Sequence, residues 1–293
     1  MAKTEDLRAE TLFSVKGHVC VVTGGGTGIG LMATQALAAN GAKVYITGRR
    51  MDALDNAAET HQPSSGGGQI IPIGPCDVTR KGDLESLVKE ISKKEKYINV
   101  LVCNAGISGP KAEPESEKAT ELKETLFKGE SFEEWEETFN TNVSGVYFTT
   151  VAFLPLLQAG GESHGHLSAS VIVISSMSGI MRHAQGHFSY NAAKGATVHL
   201  SKLMSYEFKK AGIRVNSIAP GYFPSEMTTG ESDRDQKSEI PDGKMREKGH
   251  VPAKRAGSDE EMAQGILFLA RNRYVNGEII AIDGGVLLEV PRR

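Results

Sequence analysis

The stretch Val21-Val22-Thr23-Gly24-Gly25-Gly26-Thr27-Gly28-Ile29-Gly30 constrains this chain more than any other. An apolar run from His18 to Val22 stops at Thr23 and a glycine-dense turn follows. Leu31 to Asn40 then carries apolar residues at helical spacing. Strand, glycine turn and helix form the setting in which glycines serve an anion. The helix start aims unpaired N–H groups and a partial positive charge at it. Gly24 can take the sharp turn, Gly28 leaves room for backbone to approach a pyrophosphate, and Gly30 lets the helix sit close on the strand. Taken alone, the same glycines also fit an ordinary loop.

The rest of the chain repeats the strand–helix alternation. Strands are expected at Lys43–Thr47, Gln69–Gly74, Asn99–Cys103, Val171–Ser175, Arg214–Ala219 and Glu278–Ile282. Helices are expected at Met51–Thr60, Lys81–Lys96, Phe132 to about Leu157, Tyr190–Lys210 and from Ser258 onward. Ser131 with Glu134, and Ser258 with Glu261, have capping-box spacing. Such alternation predicts one doubly wound α/β domain over residues 1–293, a seven-stranded parallel sheet with helices on both faces. The segment up to Lys16 is expected to cover one sheet edge. Residues 108–130 read as an insertion, partly helical, and 222–252 as a polar loop. The apolar face Val143 to Phe153 predicts a subunit contact, hence a homodimer or homotetramer.

A net charge of −3 over 293 residues offers no basic field for nucleic acid or anionic membrane. No uninterrupted apolar run has bilayer-spanning length, and the polar start Met1 to Asp6 lacks the apolar core of a signal peptide. Three scattered cysteines show no metal-ligand spacing, so no metal is expected. Cys20 and Cys103 fall in strand-like runs, as buried reduced thiols would, which points to the cytoplasm.

At the end of the second strand an NAD site offers a carboxylate to the ribose hydroxyls. Here Gly48 stands in that place and Arg49-Arg50 follow. A guanidinium binds a 2′-phosphate with charge-assisted bonds, so NADP(H) is favoured over NAD(H), although two arginines can also merely decorate a helix start. Asp77, past the third strand, can accept from an adenine amino group or simply form a turn. Asn104-Ala105-Gly106 would bring backbone close to the adenosine.

Tyr190-Asn191-Ala192-Ala193-Lys194 places a phenol and an ammonium four residues apart, on one helix face. A tyrosine titrates near 10; a neighbouring ammonium favours the phenolate and lowers that value toward the working range. Ser175 or Ser176 can hydrogen-bond a carbonyl oxygen as charge develops on it. An exposed i,i+4 pair is the plain alternative.

Gly24-x-x-x-Gly28-x-Gly30, Asn104-Ala105-Gly106, Asn142, Ser176, Tyr190-x-x-x-Lys194 and Pro220-Gly221 occur in the order of the short-chain dehydrogenase/reductase family, which the chain resembles from about Lys16 to Gly285. The resemblance implies a Rossmann fold and a nicotinamide cofactor. It also implies Tyr190 as general acid, Lys194 on the nicotinamide ribose, Ser176 orienting the carbonyl, and Asn142 kinking its helix and anchoring a relay water. The cofactor would touch Gly24, Thr27, Gly28, Ile29, Gly30, Arg49, Arg50, Asp77, Val78, Asn104, Ala105, Gly106, Tyr190, Lys194, Pro220, Gly221, Phe223 and Ser225. Thr27 stands where many NADP enzymes of the family carry a second basic residue, and Ser225 replaces the usual threonine. Ser176 and Tyr190 are fourteen apart, one more than the commonest spacing, so Ser175 or Ser178 stays open as the working hydroxyl. The phrase Pro220 to Thr228 resembles microbial and fungal reductases, including 3-ketoacyl reductases.

The expected activity is reduction of a medium-sized, partly apolar ketone, or the reverse. Met181, Arg182, His183, His187 and Phe188 are expected at the pocket mouth, the insertion along one wall, and 222–252 as the substrate loop. The alternatives are a non-catalytic dinucleotide-binding scaffold or sensor, an epimerase, and an enoyl reductase.

Overall fold

A computed structural model describes residues 2–230 and 232–290. Glu231, inside the expected substrate loop 222–252, lies outside them. Short apolar, β-branched runs form the strands: β1 Val19–Thr23, β2 Lys43–Thr47, β3 Gln69–Pro72, β4 Val100–Cys103, β5 Ala169–Ile174, β6 Ile213–Pro220 and β7 Ile279–Ile282. All pair in parallel, in the order β3-β2-β1-β4-β5-β6-β7. The longer helices are α1 Gly28–Ala39, α2 Met51–His61, α3 Lys81–Ser92, α4 Ala119–Gly129, α5 Phe132–His164, α6 Phe188–Phe208 and α7 Asp259–Arg271. This is the doubly wound Rossmann architecture that the alternation predicts.

Side chains alternate along a strand, so each strand supplies two cores. On one face Val22, Ile46, Val102 and Ile172 meet Leu31, Leu37, Leu54 and Ile266. On the other, Val21, Tyr45, Leu101 and Val173 meet Leu84, Ile91, Phe153 and Leu157. Strands buried on both faces read as unbroken apolar runs, which is why they stand out in the sequence. The chain winds outward from β1 to β3, then returns to β4 on the other side of β1. That reversal opens a crevice beyond the carboxyl ends of β1 and β4. Thr23 pairs with Cys103 there, so the glycine turn and Asn104 leave the sheet side by side.

Both capping boxes form. Ser131 Oγ accepts from the Glu134 N–H, and Glu134 accepts from the Ser131 N–H; Glu261 does the same for Ser258. The lead-in does not cover a sheet edge. Arg271 of α7 donates to the Leu12 carbonyl, and Val15, fully buried, donates to the Asn40 carbonyl just past α1. It therefore closes the amino ends of the central strands, because Val15 finds its apolar neighbours there.

Helix α5 departs most from expectation. It runs on to His164 and loosens into a π-helical stretch at Asn140–Ser144. The apolar face Val143 to Phe153 is divided: Val146 and Phe153 are spent on the chain's own core, while Tyr147 and Phe148 face outward. By length and composition α5 could also cross a membrane. Threonines, glycines and a glutamine interrupt the apolar run and hide this from a search for uninterrupted apolar sequence. In the fold α5 lies along the sheet. A Cβ on Gly160 would stand 2.1 Å from the Ile98 carbonyl oxygen, so that glycine sets how closely the helix approaches.

Candidate active site

Beyond Thr23 the backbone turns at Gly24 with a φ of +64°, a region that disfavours side chains. The turn is clamped from β4: the Asn104 amide donates to the Thr23 and Gly24 carbonyls, each at 3.1 Å. Thr23 Oγ1 accepts from the N–H groups of Asn104 and Ala105 at 3.0 and 3.1 Å. A Cβ on Gly30 would lie 2.0 Å from the Gly24 carbonyl oxygen and 2.5 Å from Asn104 Nδ2. Gly30 thus presses the first turn of α1 onto the glycine turn and Asn104, rather than onto the strand as expected. At Gly28 a Cβ would come within 2.8 Å of Ser225 Cβ, so the space left there is shared with the loop after β6.

A cavity of about 640 Å³ spans the crevice. On the β2 side it is lined by Gly48, Arg49, Asp77 and Val78, and in the middle by Thr27, Gly28, Ile29, Ala105 and Gly106. On the β5 and β6 side lie Ser176, Tyr190, Lys194, Pro220 and Gly221. Phe223, Ser225, Glu226, Met227 and Thr228 border it from the loop. Arg50 also borders it, but its guanidinium makes a two-point bond to Glu226 at 2.7 and 3.2 Å. The two arginines are therefore not equivalent, as the sequence reading had them. Partial burial would raise the Asp77 carboxyl, but two hydrogen bonds from Thr79 and the charges of Arg49 and Arg80 hold it below the ordinary carboxylate range. Its Oδ1 is already taken by that turn.

At the end of β5 the three serines are placed differently. Ser175 Oγ turns away, bonded to Ser217 Oγ at 2.7 Å and to the Ile218 carbonyl at 3.0 Å. Ser178 uses its N–H on Ser176 Oγ at 3.1 Å. Ser176 borders the cavity together with Tyr190, and its hydroxyl acts to lower the phenol. Lys194 is buried, donates to the Ile174 carbonyl at 2.9 Å, and lies 5.7 Å from the centre of the Tyr190 ring. Burial alone brings its ammonium down to about 8. The expected lowering of Tyr190 is not present in the chain by itself: burial raises the phenol, opposed only by the Ser176 bond.

Asn142 does not line the cavity. Fully buried in the π-helical stretch, it accepts from the Ile107 N–H at 2.9 Å and donates to the Ile107 carbonyl at 2.8 Å. Its own carbonyl accepts from Thr197 Oγ1 at 2.7 Å. A Cβ on Gly106 would meet Asn142 Oδ1 at 2.8 Å and Lys194 Nζ at 3.6 Å, so the clamp fixes the backbone beside the lysine.

The sequence agrees with this geometry. A family model described as enoyl-(acyl carrier protein) reductase matches residues 24–287. The short-chain dehydrogenase/reductase PhomF of Diaporthe leptostromiformis is 41% identical over 98% of this chain and 97% of its own length. The chain belongs to the short-chain dehydrogenase/reductase family. The 3-oxoacyl-[acyl-carrier-protein] reductase FabG of Chlamydia muridarum is 32% identical over 91% of this chain and 96% of its own. Among solved structures, the Pseudomonas aeruginosa RhlG/NADP active-site complex matches with a TM-score of 0.79 and 30% identity, covering 94% of this chain and 98% of that one.

Short-chain dehydrogenase/reductases are oxidoreductases that use a nicotinamide dinucleotide, and the residues here fit one. A glycine turn without side chains stands at the start of α1, in a cavity long enough to join the β2 end to Tyr190. In this short-chain dehydrogenase/reductase the segment before α6 does not line that cavity. Met181 is buried against Met245, Val251 and Leu287, and none of Arg182, His183, His187 or Phe188 borders the cavity. Nor does any residue of 108–130; the insertion packs instead on that segment, with the Ala112 N–H on the Gly186 carbonyl at 2.8 Å. Among the described residues no metal-binding cluster occurs. The sequence reading missed Ile107, Glu137, Thr141 and Glu226 as cavity residues. Only Ile107, adjoining Asn104-Ala105-Gly106, had a local signal.

Proposed function

We propose that this short-chain dehydrogenase/reductase reduces a ketone to a secondary alcohol with NADPH, or runs the reverse oxidation. The observation that carries the reading is that Ser176, Tyr190 and a buried Lys194, its ammonium 5.7 Å from the Tyr190 ring centre, line the same cavity as the glycine turn. Two hydroxyls lining one end of a cavity suit a single oxygen that gains negative charge. Tyr190 donates the proton to that oxygen and Ser176 hydrogen-bonds it. Lys194, once its charge is set against the phenol by a bound ligand, draws the tyrosine down toward working pH. Asn142 acts through Ile107 as a positioning residue, and Gly24 to Gly30 hold the pyrophosphate at the start of α1. A bound dinucleotide would supply the hydride from its nicotinamide.

NADP(H) rather than NAD(H) is supported by Gly48 at the end of β2 and by Arg49 on the cavity wall, with no carboxylate on Gly48's position. RhlG, whose complex contains NADP, is consistent with this. The apolar Ile107, Phe223 and Met227 favour a medium-sized, partly apolar substrate. FabG is named for 3-oxoacyl substrates, so 3-ketoacyl thioesters belong in the first panel. The three free, buried cysteines suit a reducing compartment such as the cytoplasm.

The test is a panel of ketones, 3-ketoacyl and enoyl thioesters, run with NADPH and with NADH. Ketone-dependent NADPH oxidation is expected, and Tyr190→Phe is expected to lose it by about 10²–10⁴-fold while still binding the dinucleotide. Full activity in Tyr190→Phe would remove the assignment, equal rates with NADH would remove the cofactor preference, and turnover of enoyl substrates alone would move the chemistry to the double bond. Tyr147 and Phe148 on α5, with Leu203 and Tyr206 on α6, remain exposed and support a dimer or tetramer; a monomer on gel filtration would exclude it.

A further inference from the structure

We propose that Glu226 sets the discrimination between a 2′-phosphate and a 2′-hydroxyl on the cofactor's adenosine ribose, by competing with the phosphate for Arg50. The proposal rests on the dinucleotide reading above and deepens it.

Arg50 stands at the start of α2, one residue beyond Arg49 and two beyond Gly48, where the ribose of a dinucleotide held at β1 must lie. Glu226 reaches it from 176 positions away in sequence, out of the loop after β6, and engages both guanidinium nitrogens. Ser232 Oγ donates to the same carboxylate at 2.8 Å. The segment that follows is tied to α2 as well: Asn56 donates to the Arg234 carbonyl at 2.6 Å, and His61 Nε2 lies 2.7 Å from the Asp235 carbonyl oxygen. The loop expected to close over the substrate thus also straps the adenosine side. The charges around the pair are few. Asp52 lies near Arg50, Arg49 lies near Asp77, and the Glu226 carboxyl is held below its ordinary range chiefly by the Arg50 hydrogen bond.

A guanidinium fork that grips a carboxylate at two points cannot present the same two N–H groups to a phosphate. A ligand with a 2′-phosphate must displace Glu226 or do without Arg50, whereas one with a 2′-hydroxyl leaves the pair untouched. Glu226 therefore weakens 2′-phosphate binding selectively. Its displacement also removes one of the strap's anchors, the bond from Ser232.

The experiment is calorimetric binding of adenosine 2′,5′-bisphosphate and of adenosine 5′-phosphate to the full chain, to Glu226→Gln, to Arg50→Gln and to the double variant. Glu226→Gln is expected to bind the bisphosphate about three- to tenfold tighter and the 5′-phosphate within about twofold of the wild type, the range of a partly exposed ion pair. In the Arg50→Gln background the gain disappears. Equal tightening of both probes, or a gain that persists without Arg50, would overturn the proposal, since general charge repulsion would then explain it. Limited trypsin digestion supplies the second readout: the bisphosphate, and not the 5′-phosphate, is expected to speed cleavage after Arg234 and Lys237, and equal rates would overturn the coupling. A wild type that binds neither probe defeats the dinucleotide reading itself; binding of both, with no effect of Glu226→Gln, defeats only the role of Glu226.

Discussion

Two buried cations sit at opposite ends of the sheet. Arg214, fully buried at the amino end of β6, donates to the carbonyls of Leu167, Leu269, Val275 and Ala270 at 2.8–3.2 Å. Lys194, 4% exposed beyond the carboxyl end of β5, donates among the described residues only to the Ile174 carbonyl. Burial lowers both, Arg214 to about 10 with help from Arg273, and Lys194 to about 8. Burial and a depressed pKa therefore do not distinguish a structural cation from a chemical one. Saturation does. Arg214 has spent its fork on four carbonyls, of which only those of Leu269 and Val275 have a second side-chain donor, in Ser170 and Asn216, while Lys194 keeps donors that face a cavity.

The comparison breaks if the two respond alike to replacement. Lys194→Met is expected to lose about 10²–10⁴-fold in ketone reduction with no fall in melting temperature, because a poorly compensated buried charge is removed. A melting point several degrees lower would make Lys194 a staple like Arg214. Arg214→Met is expected to cost about 3 kcal/mol in urea unfolding, with turnover per folded molecule unchanged, since the Leu167 and Ala270 carbonyls lose their side-chain donor. The smallest effect is a pH dependence of opposite sign for activity and stability. Reduction by the free enzyme is expected to decline as pH rises through about 8, where Lys194 loses its charge. Its folded pKa lies below the unfolded value of 10.5, so between those values the unfolded chain holds more protons and stability from this group rises with pH. Parallel falls in kcat/KM and in unfolding free energy across that window would sink the assignment.

What was legible in the sequence was local. The glycine turn, the strand ends and Tyr190 with Lys194 are each fixed within one turn of chain, and parallel strands buried on both faces announce themselves by composition. What was not legible depends on chain that arrives from far away. Ser175 and Ser176 look alike until Ser217, on the neighbouring strand, claims the first. Arg49 and Arg50 look alike until Glu226 claims the second. Asn142 reads as a site residue, yet its side chain is consumed by Ile107, on a segment 35 residues earlier.

The π-helical stretch at Asn140–Ser144 has one further consequence. Each helical residue advances the side-chain direction by about 100°, so a turn that holds an extra residue puts the two parts of α5 out of phase. Glu137 before it and Thr141 within it reach the cavity; after it, Val146, Phe153 and Leu157 reach the sheet. The stretch acts as a gear between the two, and its tooth count is fixed. Wound as a regular α-helix with the same residues, this stretch would turn the following twenty-residue arm and carry Val146 and Phe153 off the sheet. The wide turn at 140–144 is therefore as binding a requirement as the identity of any side chain within it.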